Sequence, residues 1–191
     1  VKNLNLCLAA AGSEAIHGYR LLSFRHHQWL STTAILTCMR ALGVKYVNIG
    51  EVTPSFTEPK GPDQKRQVAN AYKAFSPVKK NIIGVLNVYD SHWISFHIHV
   101  TSRACRLFDS QQSEMAYTNL KSSTLQEIVE LLLPMGTELT YYPYVSCLEQ
   151  DNGNCGLWCL TSWSLLLKVS HGLRRYMSWR RISVSTISTY A

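Results

Sequence analysis

Two spacings of apolar residues alternate along the chain. In residues 26–43, HHQWLSTTAILTCMRALG, apolar side chains fall at Trp29, Leu30, Ala34, Ile35, Met39 and Leu42. That is the spacing of a helix with one buried stripe. Ser31, Thr32 or Thr33 is its candidate cap and Gly43 its expected stop. Residues 50–65, GEVTPSFTEPKGPDQK, are rich in Pro, Gly and charge and read as a surface loop. NIIGVLNVY (81–89) is a continuous apolar run, and HWISFHIHV (92–100) alternates, so both predict strands. In the second, Trp93, Ser95, His97 and His99 share one face, and Ile94, Phe96, Ile98 and Val100 share the other. ACRLFDS (104–110) predicts a strand paired beside it, and TELTYYPYVSC (137–147) another. TLQEIVELLL (124–133) is helical and stops at Pro134. CGLWCLTSWSLLLKVSHG (155–172) is apolar nearly all round, which predicts a helix buried inside the domain. Helices at both ends and strands clustered in the middle make the expected class α+β.

Composition narrows this picture. A chain of 191 residues, 46% hydrophobic and 16% charged, fits one globular domain that buries its own core. The domain is expected over residues 1–181, with the Ser/Thr-rich residues 182–191 as a fraying tail. No internal repeat is present. The six cysteines are scattered without a CxxC pair and no signal peptide opens the chain, so reduced thiols and an intracellular site, nucleus or cytoplasm, are expected. A first residue of Val rather than Met suggests a piece of something longer. The net charge is +7, and after Asp151 there is no acidic residue while Lys168, Arg174, Arg175, Arg180 and Arg181 follow. Such an end is a solvated face or a contact for an acidic partner, nucleic acid or an anionic membrane. No apolar run reaches the roughly 18 residues of a membrane span.

The chemistry centres on EQDNGNCGLWCL (149–160), where Cys155 opens the buried helix behind a turn-like DNGN. Unpaired N–H groups and the helix dipole at such a position favour a thiolate, and Gly156 leaves room for a substrate backbone. A buried core thiol explains the same residues. A nucleophile also needs a base and a group that orients it. Of seven histidines, His26 and His27 precede a helix and His171 follows one, while His92 opens a strand. Asp109 closes the neighbouring strand, so antiparallel pairing brings His92 and Asp109 to one edge. His97 and His99 on one strand face, with Cys105 nearby in sequence, form a rival metal site that lacks a fourth ligand at metal-like spacing.

Taken in order, SHWISFHI (91–98), CRLFDS (105–110) and EQDNGNCGLWCL (149–160) resemble the ubiquitin-like-protein proteases, the group of the sentrin/SUMO-specific proteases and, distantly, adenovirus protease. QWLSTTAI (28–35) is similar to that family's Trp-Leu-x-Asp-x-x-Ile segment, with Thr32 in place of the Asp. The resemblance spans residues 20–172 and implies a papain-like cysteine peptidase fold. It implies a central mixed or antiparallel sheet flanked by helices, with the nucleophile at the start of a buried helix. Cys155 would be the nucleophile, His92 the general base and acid, Asp109 its orienting group, and Gln150 an oxyanion donor beside the Cys155 N–H. Trp29 and Trp93 would form a flat tunnel for a Gly-Gly tail. The Gln150–Cys155 interval is one residue shorter than is usual in SUMO-type members. The implied partner is a ubiquitin-like modifier (SUMO, NEDD8 or ubiquitin) and its conjugates, met by a monomer that needs no cofactor or metal. Two other readings share the fold: an acetyl-transferring effector, and a module that grips the modifier without cleaving it.

Overall fold

The computed structural model describes residues 5–6, 16–17, 29–88, 91–133, 138–145 and 154–170. A short antiparallel pair, β1 (Asn5–Leu6) and β2 (Ile16–His17), stands apart from the main sheet. The main sheet has five strands in the order β3 (Ile49–Val52), β4 (Asn81–Val88), β5 (His92–His99), β6 (Ala104–Asp109), β7 (Thr140–Pro143). The three central strands are antiparallel, whereas each edge strand runs parallel to its neighbour, so the sheet is mixed.

Both faces of β5 are covered. On one side Ile94, Phe96 and Ile98 join Ile82, Leu86 and Leu107 in a core closed by Phe56, Leu125 and Ile128. On the other, Trp93 joins Ile83, Val85 and Phe108 beneath α1 (Thr32–Lys45) and α4 (Cys155–Ser170). The alternation in HWISFHIHV therefore separates two apolar layers, with the helices α1 and α4 packed together over one of them. Trp163 in α4 is 1% exposed, as its nearly all-round apolar sequence requires.

Several local expectations change. Residues 50–65 are no surface loop: they hold the buried strand β3, a 3₁₀ turn at Pro54–Thr57 with Phe56 fully buried, and the start of α2 (Pro62–Ala69). Pro54 initiates the turn and Pro62 the helix, where a missing N–H costs nothing. Helix α1, capped by Ser31 accepting from the Ala34 N–H at 3.2 Å, runs through Gly43 to Lys45 instead of stopping there. A Cβ on Gly43 would overlap Glu51 Oε1, so this glycine admits the largely buried Arg40–Glu51 ion pair (2.6 Å) against the helix. The helix expected at 124–133 is part of a longer helical run. It begins as α3 (Glu114–Leu120), continues through wider π turns over Lys121–Val129 and ends in a 3₁₀ turn at Glu130–Leu132. Residues 134–137, the Ser/Thr-rich tail and the basic end beyond Ser170 lie outside the described residues.

Candidate active site

The antiparallel register of β5 and β6 sets the site. Ile94 pairs with Asp109, which leaves His92 two residues further along the same face of the sheet. Its Nε2 lies 2.6 Å from Asp109 Oδ1, a charge-assisted distance. Asp109 is fully buried, and its carboxylate also accepts the backbone N–H of Gln111 (2.8 Å, Oδ1) and of Ser113 (3.0 Å, Oδ2). The turn that supplies these donors folds back through Gln112 at φ 53°, a left-handed conformation that few non-glycine residues adopt. The Gln112 N–H closes it on the Asp109 carbonyl at 3.1 Å.

Cys155 is the first residue of α4 and is 2% exposed. The Trp93 N–H, from the peptide group that joins His92 to Trp93, donates to Cys155 Sγ at 3.4 Å. His92 Nδ1 is buried, and Cys155 lies beside the ring. Burial is the largest single influence on His92 and lowers its pKa. The hydrogen bond and charge of Asp109, joined by Cys155, outweigh it and raise the imidazole to about 9. Asp109 is the mirror case: burial acts to raise its pKa, and the His92 and backbone hydrogen bonds bring it below the ordinary carboxylate value.

Three other cysteines are described. Burial pushes Cys38 up to about 11 and raises Cys105 and Cys159 as well, so their thiols stay protonated and weakly nucleophilic. Cys159, one turn along α4, is fully buried and donates its thiol to the Trp93 carbonyl at 3.3 Å.

Trp29 and Trp93 take unequal places. Trp93 is 2% exposed and its indole N–H is fixed to the Leu30 carbonyl at 3.0 Å, whereas Trp29, just ahead of the α1 cap, is 48% exposed. Both line a cleft of about 370 Å³ with Asn87 and the segment 30–33. A second cleft of about 330 Å³, also bordered by Trp29, is lined by His92, Ser91 and the start of α3. At Gly156 an added Cβ would lie 3.0 Å from Trp93, 3.2 Å from Ile35 and 3.3 Å from Leu30, so its missing side chain makes room for the core. Gln150, His26, His27 and His171 lie outside the described residues.

The rival metal cluster does not assemble. Cys105 pairs with Ile98 and so faces the opposite side of the sheet from His97 and His99. His97, far from a solvated face, is 5% exposed and bonded to Asn81 Oδ1 at 3.0 Å; His99 bonds to Ser102. Among the described residues no three His, Cys, Asp or Glu side chains gather as a metal site. Nor, among them, is any helix long and apolar enough to cross a membrane.

Sequence reading also passed over the turn behind Asp109 and the polar lining residue Asn87. The polar run DSQQS (109–113) was the available signal for the first, while Asn87 sits inside a strand with nothing local to mark it.

A sheet of this topology, with the cysteine at the start of the helix packed on one face and the His–Asp pair at one sheet end, is a papain-like fold. No protein-family model matches the chain, and no curated protein does. Solved structures do. The protease domain of Ulp1 in complex with Smt3, the yeast ortholog of SUMO, matches with a TM-score of 0.60 at 19% identity over 82% of this chain and 72% of that one. The Xanthomonas campestris effector XopD, bound to ubiquitin, matches at 0.60 and 15% identity, over 82% and 83% of the two chains. ChlaDub1 of Chlamydia trachomatis matches at 0.52 and 11% identity, over 85% and 88%. The chain thus has the fold of the Ulp1-type cysteine proteases that its motifs resemble.

Proposed function

We propose that this protein is a cysteine peptidase of the ubiquitin-like-protein protease type, cleaving after the C-terminal Gly-Gly of a small modifier. The observation that carries the reading is the His92–Asp109 contact of 2.6 Å beside Cys155 at the start of α4. In this scheme His92 and Cys155 react as an imidazolium and a thiolate, a pair in which each charge favours the other. The sulfur attacks the glycyl carbonyl carbon and forms a C–S bond while the carbonyl electrons move onto oxygen. The Cys155 backbone N–H and the Gln150 side-chain amide stabilise that oxyanion. The C–N bond then breaks, His92 gives its proton to the leaving amine, and a thioester on Cys155 remains. Water, deprotonated by His92, attacks the thioester; the sulfur leaves as thiolate and the modifier is released as a carboxylate. Asp109 holds the imidazole in orientation and stabilises its charge throughout. Trp29 and Trp93 flank the tail, which must be narrow enough to pass between them.

The test is turnover of SUMO, ubiquitin and NEDD8 carrying a C-terminal aminomethylcoumarin. The expected result is release of the dye from at least one of them, lost in Cys155→Ala and kept in Cys159→Ala. Tight binding of a modifier with no turnover by the unaltered protein would favour a binding module instead.

A further inference from the structure

The end of the sheet opposite His92 carries positive charge with little to balance it. Ile49, Asn81, His99, Ala104 and Thr140 stand in one row across the five strands there. β5 is eight residues long, so this row lies about 23 Å from His92. Residues 44–48, 73–80, 100–103 and 138–139 enter and leave the row, and they bring Lys45, Lys73, Lys79, Lys80 and Arg103 to it. None of the five is in an ion pair among the described residues. Glu138, at the entry to β7, is the one acidic residue in these segments. Lys79 donates to the Val47 carbonyl at 2.9 Å and so holds 47–48 beside 79–80. The Ala74 backbone lies against Gly50 of β3, which seats the Lys73 turn at this end.

Two further features single this end out. Lys73 and Arg103 sit at φ 55° and 52°, and apart from Gln112 they are the only described non-glycine residues with positive φ. Neither has the short polar side chain that eases this conformation in Asn or Asp. Each turn thus keeps a long cation at a position better suited to Gly or Asn. The same end bears apolar tips. Val44, Val47 and Val78 are 64%, 73% and 69% exposed, three of the nine exposed large apolar side chains among the described residues. Val44 and Val78 each precede a lysine, and Val47 is the residue tied to Lys79.

We infer that this end of the sheet docks on an anionic phospholipid surface, its valine tips entering below the headgroups and its exposed cations meeting lipid phosphates. Lys45, Lys73, Lys80 and Arg103 are the exposed cations, and each gains from the negative potential of such a surface. The valines gain by leaving water for the acyl boundary. A nucleic-acid backbone would take the cations and leave the valines in water. An acidic protein segment would need apolar side chains at matching positions, whereas a bilayer presents charge and hydrocarbon together. Docked this way, the chain turns His92 and Asp109 away from the membrane, at the far end of β5 and β6.

The experiment is co-sedimentation of the 191-residue chain with vesicles of equimolar phosphatidylcholine and phosphatidylserine, and with phosphatidylcholine alone. Binding is expected to the anionic vesicles and not to the neutral ones. Lys80→Glu with Arg103→Glu should weaken it about 25-fold or more, at roughly fivefold per cation beside such a surface. Lys45→Glu, at a helix end, should weaken it about fivefold or more and serves if the double variant does not fold. Val47→Ser with Val78→Ser keeps every charge and should weaken binding on the order of tenfold. No binding to anionic vesicles, or equal binding to neutral ones, would overturn the proposal. So would binding untouched by the charge reversals, which would assign it to the basic end beyond Asp151. Loss in the charge variants with none in the valine variant would overturn the lipid assignment too. Retention of a DNA duplex by the unaltered protein would then make the surface a nucleic-acid site.

Discussion

β5 carries two buried histidines, His92 and His97, on opposite faces of the sheet, and they have opposite properties. His92 is 7% exposed and His97 5%, and burial is the largest influence on each. Yet His92 is raised to about 9, and His97 is lowered to about 4. The difference lies in what faces the ring. His97 Nε2 meets the neutral amide oxygen of Asn81 at 3.0 Å, with the positive charge of Arg106 across the ladder. His92 Nε2 meets a carboxylate at 2.6 Å, itself kept ionised by two backbone N–H groups. Burial alone yields a neutral structural histidine. Burial with an anchored anion yields a cationic one at neutral pH, beside the Cys155 thiol.

The comparison breaks most visibly if its anion is removed. Asp109→Asn should give His92 the environment of His97, so that its pKa, followed by the imidazole NMR signals, falls below 6.5. Turnover of the modifier substrate should fall roughly 100- to 10,000-fold, the usual range for lost acid–base catalysis. The alkaline limb of activity, expected near pH 9 where His92 loses its proton, should move to lower pH with it. An unchanged limb would mean that another group controls it.

Gly156→Ala tests the site's geometry with its charges intact. The new methyl meets Trp93, Ile35 of α1 and Leu30 just ahead of that helix at 3.0–3.3 Å. Overpacking of this sort costs about 1–3 kcal/mol, readable by chemical denaturation, and should displace the Trp93 N–H that holds the sulfur. The reciprocal experiment to Asp109→Asn is Asn81→Asp. A carboxylate 3.0 Å from His97 should raise that histidine from about 4 toward or above 6.5 while modifier turnover changes little. If His97 stays near 4, its low value comes from Arg106 and burial and not from the neutrality of its partner.

The smallest effect is the pH dependence of stability. His92 binds its proton more tightly when folded, so its contribution is complete below about 6.5 and is lost as pH rises through about 9. His97 binds its proton less tightly when folded, so stability is lost as pH falls from about 6.5 to about 4. Unfolding midpoints between pH 4 and 10 should form a dome, and Asp109→Asn should flatten its alkaline side.

What was legible in the sequence depended on whether one segment could declare it. The two faces of HWISFHIHV sort into the two core layers, and CGLWCL opens the buried helix it predicts. The antiparallel pairing that places His92 beside Asp109 followed from strand ends alone. Gly43 and residues 50–65 were misread, and the packing around Gly156 was missed, because their meaning is set by distant neighbours. Glu51 lies against Gly43, Trp93 against Gly156, and the sheet and core bury much of residues 50–65. His97 gave no local sign that Asn81, from the next strand, would hold it inside. The cradle of backbone N–H groups behind Asp109 depends on a left-handed turn at Gln112, a residue with no marked preference for one.

The most direct test of the account is the site of covalent capture. The protein would be treated with SUMO, ubiquitin and NEDD8 bearing a C-terminal propargylamide, digested and mapped by mass spectrometry. The account predicts one adduct per chain with at least one of the three modifiers, on Cys155, absent in Cys155→Ala and strongly slowed in Asp109→Asn. An adduct on Cys159 or another cysteine, or no adduct with any of the three, would contradict it.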